Sequence, residues 1–274
     1  MNVLETVSAV REFRRSVTGR LGLVPTMGAL HDGHLSLVRL AREQAGAVLV
    51  SIYVNPTQFN STTDFQVYPR TLEKDLEMLE SMGVAAVFRP ADVLMYPEGF
   101  ATTVKVTGLT EIWEGIFRPG HLDGVAMVVT KLLNITTPDL AYFGEKDYQQ
   151  LLLVRKLVRD LDMAVEIVPG PTIRNPSGLA LSSRNALLSP EERQLAPGLK
   201  RTLDETAQAI QAGRAVNDAI KEGITTLTGL GFKVDYLALA DGTTLETLTA
   251  QRPGARLIVA AHLGRVRLID NRAL

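Results

Sequence analysis

The sequence predicts an α/β protein with a Rossmann-like parallel sheet in its N-terminal domain and a smaller α+β C-terminal domain. Strand-like and helix-like stretches alternate through the first two-thirds of the chain, which is typical of a parallel sheet with right-handed crossovers. Residues 47–54 form a nearly continuous apolar run rich in β-branched residues, as expected for a strand covered on both faces. Pro169-Gly170-Pro171 then punctuates the chain, and we place the domains at 1–175 and 176–274.

Hydrophobic periodicity and the residues that end each run predict the individual elements. In the N-terminal domain, strands are predicted at 21–25, 47–54, 84–88, 140–143 and 164–168, and helices at 34–44, 71–82, 123–133 and 146–161. In the C-terminal domain, a helix is predicted from 189, further helices at 199–212 and 216–230, and strands at 232–239, 257–261 and 266–269. Ligands bind outside the carboxyl ends of parallel strands, so polar residues that follow the strands are the candidates for a functional site.

Composition narrows the classes of function. The 274 residues are 46% hydrophobic and 22% charged, as in ordinary globular proteins, and the net charge of -1 argues against nonspecific nucleic-acid binding. The absence of cysteine excludes disulfides, iron–sulfur ligation and a thiol nucleophile, and it suits a cytoplasmic protein. No apolar run reaches the ~18 residues of a membrane span, and no signal peptide is visible at the N-terminus. We therefore expect neither a nucleic-acid nor a membrane partner.

The most informative motif is His31-Asp32-Gly33-His34, which holds two of the four histidines of the chain. It lies between a predicted strand and a predicted helix, so both imidazoles are expected at a helix N-terminus, where free N–H groups and a partial positive charge attract phosphate. The imidazoles add donors for oxygens that gain charge as a phosphate bond breaks. A zinc pair is the alternative, although there is no cysteine and two ligands do not make a closed site.

Two further clusters follow predicted strands or precede predicted helices. Asn55 and Gln58 follow the second strong strand, and their carboxamides suit a substrate that bears hydroxyls and a carboxylate. The alternative is a turn-stabilising Asn with an exposed Gln. Arg118 and His121 precede a helix and are candidate phosphate contacts, or else they belong to a capping loop with a solvated arginine.

The last two clusters carry cationic and hydroxyl groups. Gly144, Lys146, Asp147 and Gln150 run from a strand into a helix, where the glycine permits close backbone approach and the lysine is a point charge for phosphate; a charged first turn is the alternative. The stretch 182–184 supplies two serine hydroxyls and a guanidinium that suit a triphosphate tail, or forms an ordinary polar linker.

Taken together, these groups are neutral or cationic hydrogen-bond donors at strand ends. The chain shows neither a Ser-His-Asp order nor a clear carboxylate dyad. Transfer at phosphorus requires alignment of two reactants and donors aimed at developing charge, and it needs little covalent help from the protein. The residues therefore favour an enzyme of phosphoryl or nucleotidyl transfer.

The order and spacing of these motifs resemble the pantothenate synthetase (pantoate–β-alanine ligase) family of His-x-Gly-His nucleotidyltransferases. The matching segments are VPTMGALHDGHLSL at 24–37, NPTQF at 55–59, YPRTLEKD at 68–75, RPGHLDGVAMVVTKLLN at 118–134, YFGEKDYQQL at 142–151 and LALSSRN at 179–185. They span nearly the whole N-terminal domain and enter the second. One departure is Asn175-Pro176-Ser177, where family members commonly carry acidic residues.

The resemblance implies an ATP-dependent condensation of D-pantoate with β-alanine to pantothenate. In the family, a pantoyl adenylate forms with release of pyrophosphate, and AMP is released when β-alanine attacks it. The resemblance also implies Mg²⁺ with the nucleotide, a homodimer, and a C-terminal domain that acts as a lid.

The resemblance carries roles to individual positions. As catalytic residues it implies His31, His34 and Lys146. For ATP it implies Met27, His34, Gly144, Lys146, Asp147, Ser182, Ser183 and Arg184. For pantoate it implies Met27, Asn55, Gln58 and Gln150, for the β-alanine side Arg118 and His121, and for Mg²⁺ Asp75.

Three other functions stay open at the level of the sequence. The nearest is another His-x-Gly-His adenylyltransferase, acting on phosphopantetheine or nicotinamide mononucleotide, against which the two glutamine-bearing segments argue. A nucleotide-binding regulatory module would bind ATP without releasing pyrophosphate. A structural zinc protein would contain bound metal after purification.

Overall fold

A computed structural model describes residues 1–274, and the chain folds into two compact units. The first unit contains Met1–Glu145 and Gln149–Pro171, and the second contains Lys146–Tyr148 and Thr172–Leu274. The short stretch Lys146–Tyr148 therefore makes its contacts with the second unit, although its sequence neighbours on both sides belong to the first. The domain boundary expected after residue 175 stays a prediction.

The first unit is built on a six-stranded parallel sheet with the strand order β1-β4-β3-β2-β5-β6, which confirms the predicted Rossmann-like architecture. The strands are β1 (Asn2–Leu4), β2 (Leu21–Thr26), β3 (Ala47–Ile52), β4 (Ala86–Phe88), β5 (Leu140–Gly144) and β6 (Glu166–Gly170). The edge strand β1, which pairs with β4, was not predicted because three residues are too few to show a period.

Helices connect these strands. They are α1 (Val7–Ser16), α2 (Asp32–Gln44), α3 (Thr62–Val67), α4 (Leu72–Ser81), α5 (Asp92–Met95), α6 (Glu114–Phe117), α7 (His121–Thr136) and α8 (Tyr148–Asp160). Short 3-10 turns at Pro56–Gln58 and Glu145–Asp147 follow β3 and β5. Sequence periodicity predicted the long helices α2, α4, α7 and α8 but not α1 or the short helices α3, α5 and α6.

The strand order switches between β2 and β5, because β3 and β4 lie on one side of β2 while β5 and β6 lie on the other. β2 pairs with β3 on one side and with β5 on the other, so that Leu23 lies opposite both Leu49 and Ala141. Leu23 and Leu49 are fully buried in the core of the sheet. At such a switch point the loops leave the carboxyl ends of neighbouring strands in opposite directions and open a crevice for ligands.

Strand β6 differs from the prediction, which ended it before Pro169. Pro169 pairs with Phe143 and Gly170 with Gly144, so the strand continues through the residues that were expected to break it. A proline is tolerated here because β6 is an edge strand and its missing N–H is not needed by a further neighbour.

The second unit is a three-stranded antiparallel sheet with helices, which confirms the predicted α+β character. Its strands are β7 (Phe232–Asp241), β8 (Ala255–Leu263) and β9 (Val266–Ala273), and its helices are α9 (Pro190–Leu195), α10 (Gly198–Gln211) and α11 (Val216–Gly229). Apolar residues of α10 and of the sheet, among them Leu203, Leu239 and Leu257, form one core. Strand β9 extends to Ala273, past the polar residues Asp270 and Asn271, because its backbone pairs with β8 along its whole length.

Helix α7 approaches the 3-10 turn Pro56–Gln58 so closely that only glycine fits at the contact. A Cβ on Gly124 would lie 2.5 Å from the carbonyl oxygen of Thr57 and 2.8 Å from the backbone nitrogen of Gln58. Both contacts are to backbone, which cannot rotate away. Gly124 therefore sets how close α7 lies to the turn that carries Gln58.

We predict that Gly124→Ala destabilises the protein by about 1–3 kcal/mol, because the added methyl overpacks a rigid backbone contact. Urea unfolding measures this loss. Gly229→Ala is the matched control: Gly229 is also helical, and nothing lies within 4 Å of its Cβ position. A Gly124→Ala protein as stable as the control variant would contradict this interpretation of the contact.

Candidate active site

The turn that follows β2 has an unusual backbone conformation. Gly28 and Ala29 both have positive φ, at 78° and 50°. The left-handed region is uncommon for alanine, so surrounding contacts must hold Ala29 there. Thr26 begins to fix the turn: its hydroxyl donates to the carbonyl of Ser51 on β3 (2.7 Å) and accepts from the N–H of Gly28 (3.2 Å).

Asp75 on α4 also fixes the conformation of this turn. One carboxylate oxygen accepts the N–H of Ala29 and the other accepts the N–H of Leu30, each at 2.9 Å. The Thr71 hydroxyl donates to the same carboxylate at 3.0 Å, and Asp75 is only 1% exposed. A buried carboxylate that accepts three hydrogen bonds is a structural anchor. Asp75 therefore positions the turn, and the magnesium role that the resemblance implied for it stays a prediction.

The two histidines of the motif cap helix α2 reciprocally. His31 is the N-cap, and its Nδ1 accepts the N–H of Gly33 at 3.1 Å. Nδ1 of His34, in turn, accepts the N–H of His31 at 3.4 Å. The two rings lie side by side with centroids 4.1 Å apart and planes 36° apart. This is the geometry of a capping box, with imidazoles in place of the usual Ser and Glu.

These hydrogen bonds decide which nitrogen of each imidazole carries the proton. A nitrogen that accepts a backbone N–H has no proton of its own, so in the neutral ring the proton lies on Nε2. His31 and His34 therefore both present Nε2–H as a donor. Because they do so at the positive end of the α2 dipole, the arrangement is suited to bind a phosphate and to stabilise added charge on it.

Asn55 stabilises the turn after β3. It is 1% exposed, and its side-chain oxygen accepts from the hydroxyls of Thr57 (3.0 Å) and Tyr96 (2.9 Å). Its amide donates to the side-chain oxygen of Gln58 and to the carbonyl of Gly124, both at 3.1 Å. Burial raises the pKa of Tyr96, so its hydroxyl stays protonated as the donor. The hydrogen-bonding capacity of Asn55 is therefore committed to orienting its neighbours.

Gln58 and Met27 meet beside Asn55. Gln58 is 8% exposed, so it is not the surface glutamine of the alternative interpretation, and its amide nitrogen lies 3.0 Å from the sulfur of Met27. A thioether is a weak acceptor, so a carboxylate or hydroxyl of a ligand would replace this contact favourably. Three of the four residues predicted for pantoate thus lie together. The fourth, Gln150, is half-buried in the first turn of α8, and its amide makes no hydrogen bond within the protein.

His121, the first residue of α7, supports the same turn together with Arg118, which lies just before that helix. Nδ1 of His121 donates to the carbonyl of Gln58 at 2.8 Å, and its Nε2 accepts from Arg118 at 3.0 Å. His121 therefore carries its proton on Nδ1, unlike the two histidines of the motif. The guanidinium of Arg118 lies 4.0 Å from the carboxylate of Glu114, and its side chain is only 18% exposed, so it is not a solvated arginine. The β-alanine role of this pair stays a prediction.

The sequence did not single out Gln149, which neighbours the predicted Gln150. Gln149 is buried and donates to the carbonyls of Leu109 (2.7 Å) and Ile112 (2.9 Å), while its oxygen accepts the N–H of Glu114 (3.1 Å). It therefore fixes the loop that leads into α6. No pattern distinguishes the two glutamines, because only their positions around α8 separate a buried clamp from an available amide.

The turn after β5 combines an open glycine with a charged pair. A Cβ on Gly144 would meet no atom within 4 Å, so the backbone there is open to close approach. In the second unit, the ammonium of Lys146 lies 3.5 Å from a carboxylate oxygen of Asp147, and the Lys146 side chain is 18% exposed.

The predicted phosphate loop of the second unit begins with a cap. The hydroxyl of Ser182 accepts the N–H of Arg184 at 3.3 Å and caps the 3-10 turn Ser183–Leu187. Upstream, Arg174 forms a bidentate ion pair with Asp270 of β9 at 2.6 and 2.8 Å.

The departure at residues 175–177 also has a defined structure. The side-chain oxygen of Asn175 accepts the N–H groups of Ser177 (3.1 Å) and Leu179 (2.9 Å). This is an Asx-type turn, which the side chain of either Asn or Asp can form. The unusual Asn175 thus orders the loop locally.

A cleft of about 240 Å³ opens at the carboxyl ends of β2, β3 and β4. Met27, Tyr53, Arg70, Asp75 and Arg89 are among its lining residues. Asn55 and Gln58 do not line it, so the cleft by itself does not define the predicted pantoate site.

Two features of the structure concern metal ions and membranes. No group of three or more His, Cys, Asp or Glu side chains is arranged to hold a metal ion, which leaves the structural zinc hypothesis without a ligand set. None of the helices has both the length and the apolar character needed to cross a membrane.

Comparisons with known proteins agree with the resemblance. A family model described as pantoate–β-alanine ligase matches residues 2–273. A pantothenate synthetase of Dinoroseobacter shibae is 50% identical over 98% of both chains. The crystal structure of pantothenate synthetase from Thermus thermophilus superposes with a TM-score of 0.94 at 48% identity and 99% coverage of both chains. The pantoate–β-alanine ligase of Francisella tularensis, in complex with β,γ ATP and β-alanine, gives 0.85 at 36% identity, covering 100% of this chain and 97% of that one.

We predict that Asp75→Ala destabilises the protein by about 2–4 kcal/mol, because the backbone N–H groups of Ala29 and Leu30, of which the second is buried, lose their acceptors. Asp75→Asn keeps one side-chain oxygen as an acceptor and is expected to cost less. Chemical unfolding measures both, with exposed Glu77→Gln on the same helix as the control. Equal stability of Asp75→Ala and the control would refute the anchoring role.

Proposed function

The chain belongs to the pantoate–β-alanine ligase family, and we propose that it condenses D-pantoate with β-alanine to pantothenate at the expense of ATP, through a pantoyl adenylate. Family membership over residues 2–273 is the observation that carries this function. The nucleotide and β-alanine bound to the Francisella relative give the class of substrates. No observation favours the phosphopantetheine or nicotinamide mononucleotide alternatives.

In the first step, a carboxylate oxygen of pantoate attacks the α-phosphorus of ATP. The new oxygen–phosphorus bond forms as the bond to the bridging oxygen breaks, and pyrophosphate leaves with the bonding electrons. Negative charge on the phosphate oxygens grows during this step. The Nε2–H groups of His31 and His34 and the N-terminus of α2 supply fixed donors for that charge, held in place before the reaction by the capping box.

Pantoate would be bound by the carboxamides near Met27. The Nε2 amide of Gln58 exchanges its weak contact with the Met27 sulfur for a pantoate oxygen, and the amide of Gln150 supplies a second donor. Asn55 acts indirectly, because its hydrogen bonds hold the side chain of Gln58 in orientation. The sulfur and methyl of Met27 would flank the dimethyl carbon of pantoate.

In the second step, the free amine of β-alanine attacks the acyl carbon of the adenylate. The carbon–nitrogen bond forms, the carbon–oxygen bond to the phosphate breaks, and AMP leaves, while the amine loses a proton to solvent. Arg118 and His121 are the residues proposed for the β-alanine side, through the turn that they support.

The remaining nucleotide contacts are proposed from the positions of the matching motifs. Gly144 and Asp147 would hold the ribose, Lys146 would reach a phosphate, and Ser182, Ser183 and Arg184 would close over the phosphates. Mg²⁺ usually binds through nucleotide phosphates and one or two carboxylates, so it needs no preformed protein cluster. No step above is routed through it.

Three further expectations complete the proposal. A homodimer, a cytoplasmic location and a lid role for the C-terminal domain are the state expected of this chain as a member of its family. Gel filtration with light scattering tests the first of them.

The overall reaction is tested by AMP formation from ATP with pantoate and β-alanine, omitting each component in turn. We expect AMP only when all three substrates are present, and pyrophosphate exchange into ATP with pantoate alone. Release of AMP or pyrophosphate without pantoate would contradict the proposed substrate, and ATP binding without any release would favour a regulatory module.

His34→Ala and Lys146→Ala are each expected to slow pantoate-dependent pyrophosphate exchange by about 10²-fold or more, the size of effect seen when one transition-state donor is removed. His262→Ala is the matched control, because His262 lies on β8, outside every segment that matches the family motifs. Exchange at the control rate in either test variant would reject the role assigned to that residue.

A further inference from the structure

The turn that carries Lys146 is tied to β9 of the second unit by a side chain that no motif singled out. The amide of Asn271 donates to the backbone carbonyl of Lys146 at 3.0 Å. Asn271 is 8% exposed, so this hydrogen bond is shielded from water. This hydrogen bond is consistent with the fact that Lys146–Tyr148 belongs to the second compact unit.

A second contact holds the same turn one residue past Asp147. The guanidinium of Arg256 on β8 lies 3.6 Å from the centroid of the Tyr148 ring, and the Tyr148 hydroxyl donates to the carbonyl of Gly242 at 2.7 Å. Arg256 also donates to the side-chain oxygen of Asn271, which closes the network. We call these three side chains, Tyr148, Arg256 and Asn271, the β8–β9 clamp.

The clamp contacts the chain at Lys146 and at Tyr148, on either side of Asp147. Asn271 holds the carbonyl of Lys146, and Arg256 holds the ring of Tyr148. The backbone from which the side chains of Lys146 and Asp147 extend is therefore held in place. A lysine is long and flexible, and it stabilises a transition state only if its point of attachment is held in place. A misplacement of about 1 Å can cost 10²-fold in rate.

The clamp lies apart from the apolar core of its unit. That core is formed by residues such as Leu203, Leu257 and Leu268, and it includes none of the clamp side chains. Asn271 lies three positions after Leu268 on β9, so their side chains point to opposite faces of the sheet. We therefore expect the packing of the core to stay intact when the clamp hydrogen bond is removed.

We propose that Asn271 is a positioning residue for Lys146, and that it acts with Arg256 and Tyr148 to hold the lysine for transfer at the α-phosphorus. This inference rests on the proposed function of Lys146. It assigns to the far end of the C-terminal strand β9 a share in the chemistry of the adenylation step.

Asn271→Asp is the sharpest test. The carboxylate has the same shape and still accepts from Arg256, but it cannot donate to the carbonyl of Lys146. We expect kcat of pantoate-dependent pyrophosphate exchange to fall about 10-fold or more, consistent with a displaced catalytic group. The KM for pantoate is expected to stay close to that of the parent protein, whereas the melting temperature is expected to fall, because a buried carbonyl loses its donor and faces a carboxylate. Asn217→Asp, an exposed position on α11, is the control for the same chemical change.

A double-mutant cycle separates positioning from general destabilisation. If Asn271 acts through Lys146, Asn271→Asp in a Lys146→Ala background has no further effect on the rate. Arg256→Lys provides a second variant that keeps the charge but loses the planar stacking on Tyr148, and it should show the same dependence on Lys146.

Independent, multiplying losses in the double mutant would overturn the proposal, as would unchanged kcat in a folded Asn271→Asp protein. If Asn271→Asp does not fold, Arg256→Lys decides by the same two criteria. A parent protein that lacks pantoate-dependent exchange would instead overturn the proposed function itself, which keeps the two failures distinct.

Discussion

The candidate site depends on the hydrogen bonds by which the Asp75 carboxylate holds the turn after β2 in place. The turn requires a left-handed conformation at Ala29, which alanine adopts only under restraint. Asp75 supplies the restraint through two backbone N–H groups, and Thr71 orients the carboxylate in turn. Together with the Thr26 hydroxyl, this buried carboxylate fixes the turn through which the chain enters α2, where both motif histidines lie.

The three histidines of the first unit illustrate how backbone contacts select a chemical role. His31 and His34 accept backbone N–H groups at Nδ1 and so present Nε2–H as a donor. His121 instead donates from Nδ1 to a carbonyl and accepts from Arg118 at Nε2. The first pair is therefore equipped to meet an anion, whereas His121 is committed to the protein. The same side chain serves two purposes because the neighbouring backbone group is a donor in one case and an acceptor in the other.

Each of the two compact units contains residues to which the family resemblance assigns a role. The histidines and the carboxamides belong to the first unit, while Lys146 and the Ser182–Arg184 loop belong to the second. In the second unit, neighbouring residues of β9 support both of these segments. Asp270 binds Arg174 upstream of the loop, and Asn271 binds the carbonyl of Lys146. Strand β9 thus carries two adjacent polar side chains that organise separate parts of the proposed nucleotide site.

The sequence by itself determined the alternating α/β pattern, the long helices, the α+β character of the second unit and the segments that carry polar chemistry, because hydrophobic periods and Gly or Pro breaks act over a few residues. It also placed His31 and His34 at a helix start. Only the tertiary structure decided that Asp75 anchors a turn, that Asn55 orients Gln58, that Gln149 is buried beside an available Gln150, and that Asn271 holds Lys146. Each of these depends on which distant backbone group lies within about 3 Å of a side chain, and local sequence patterns carry no information about that distance.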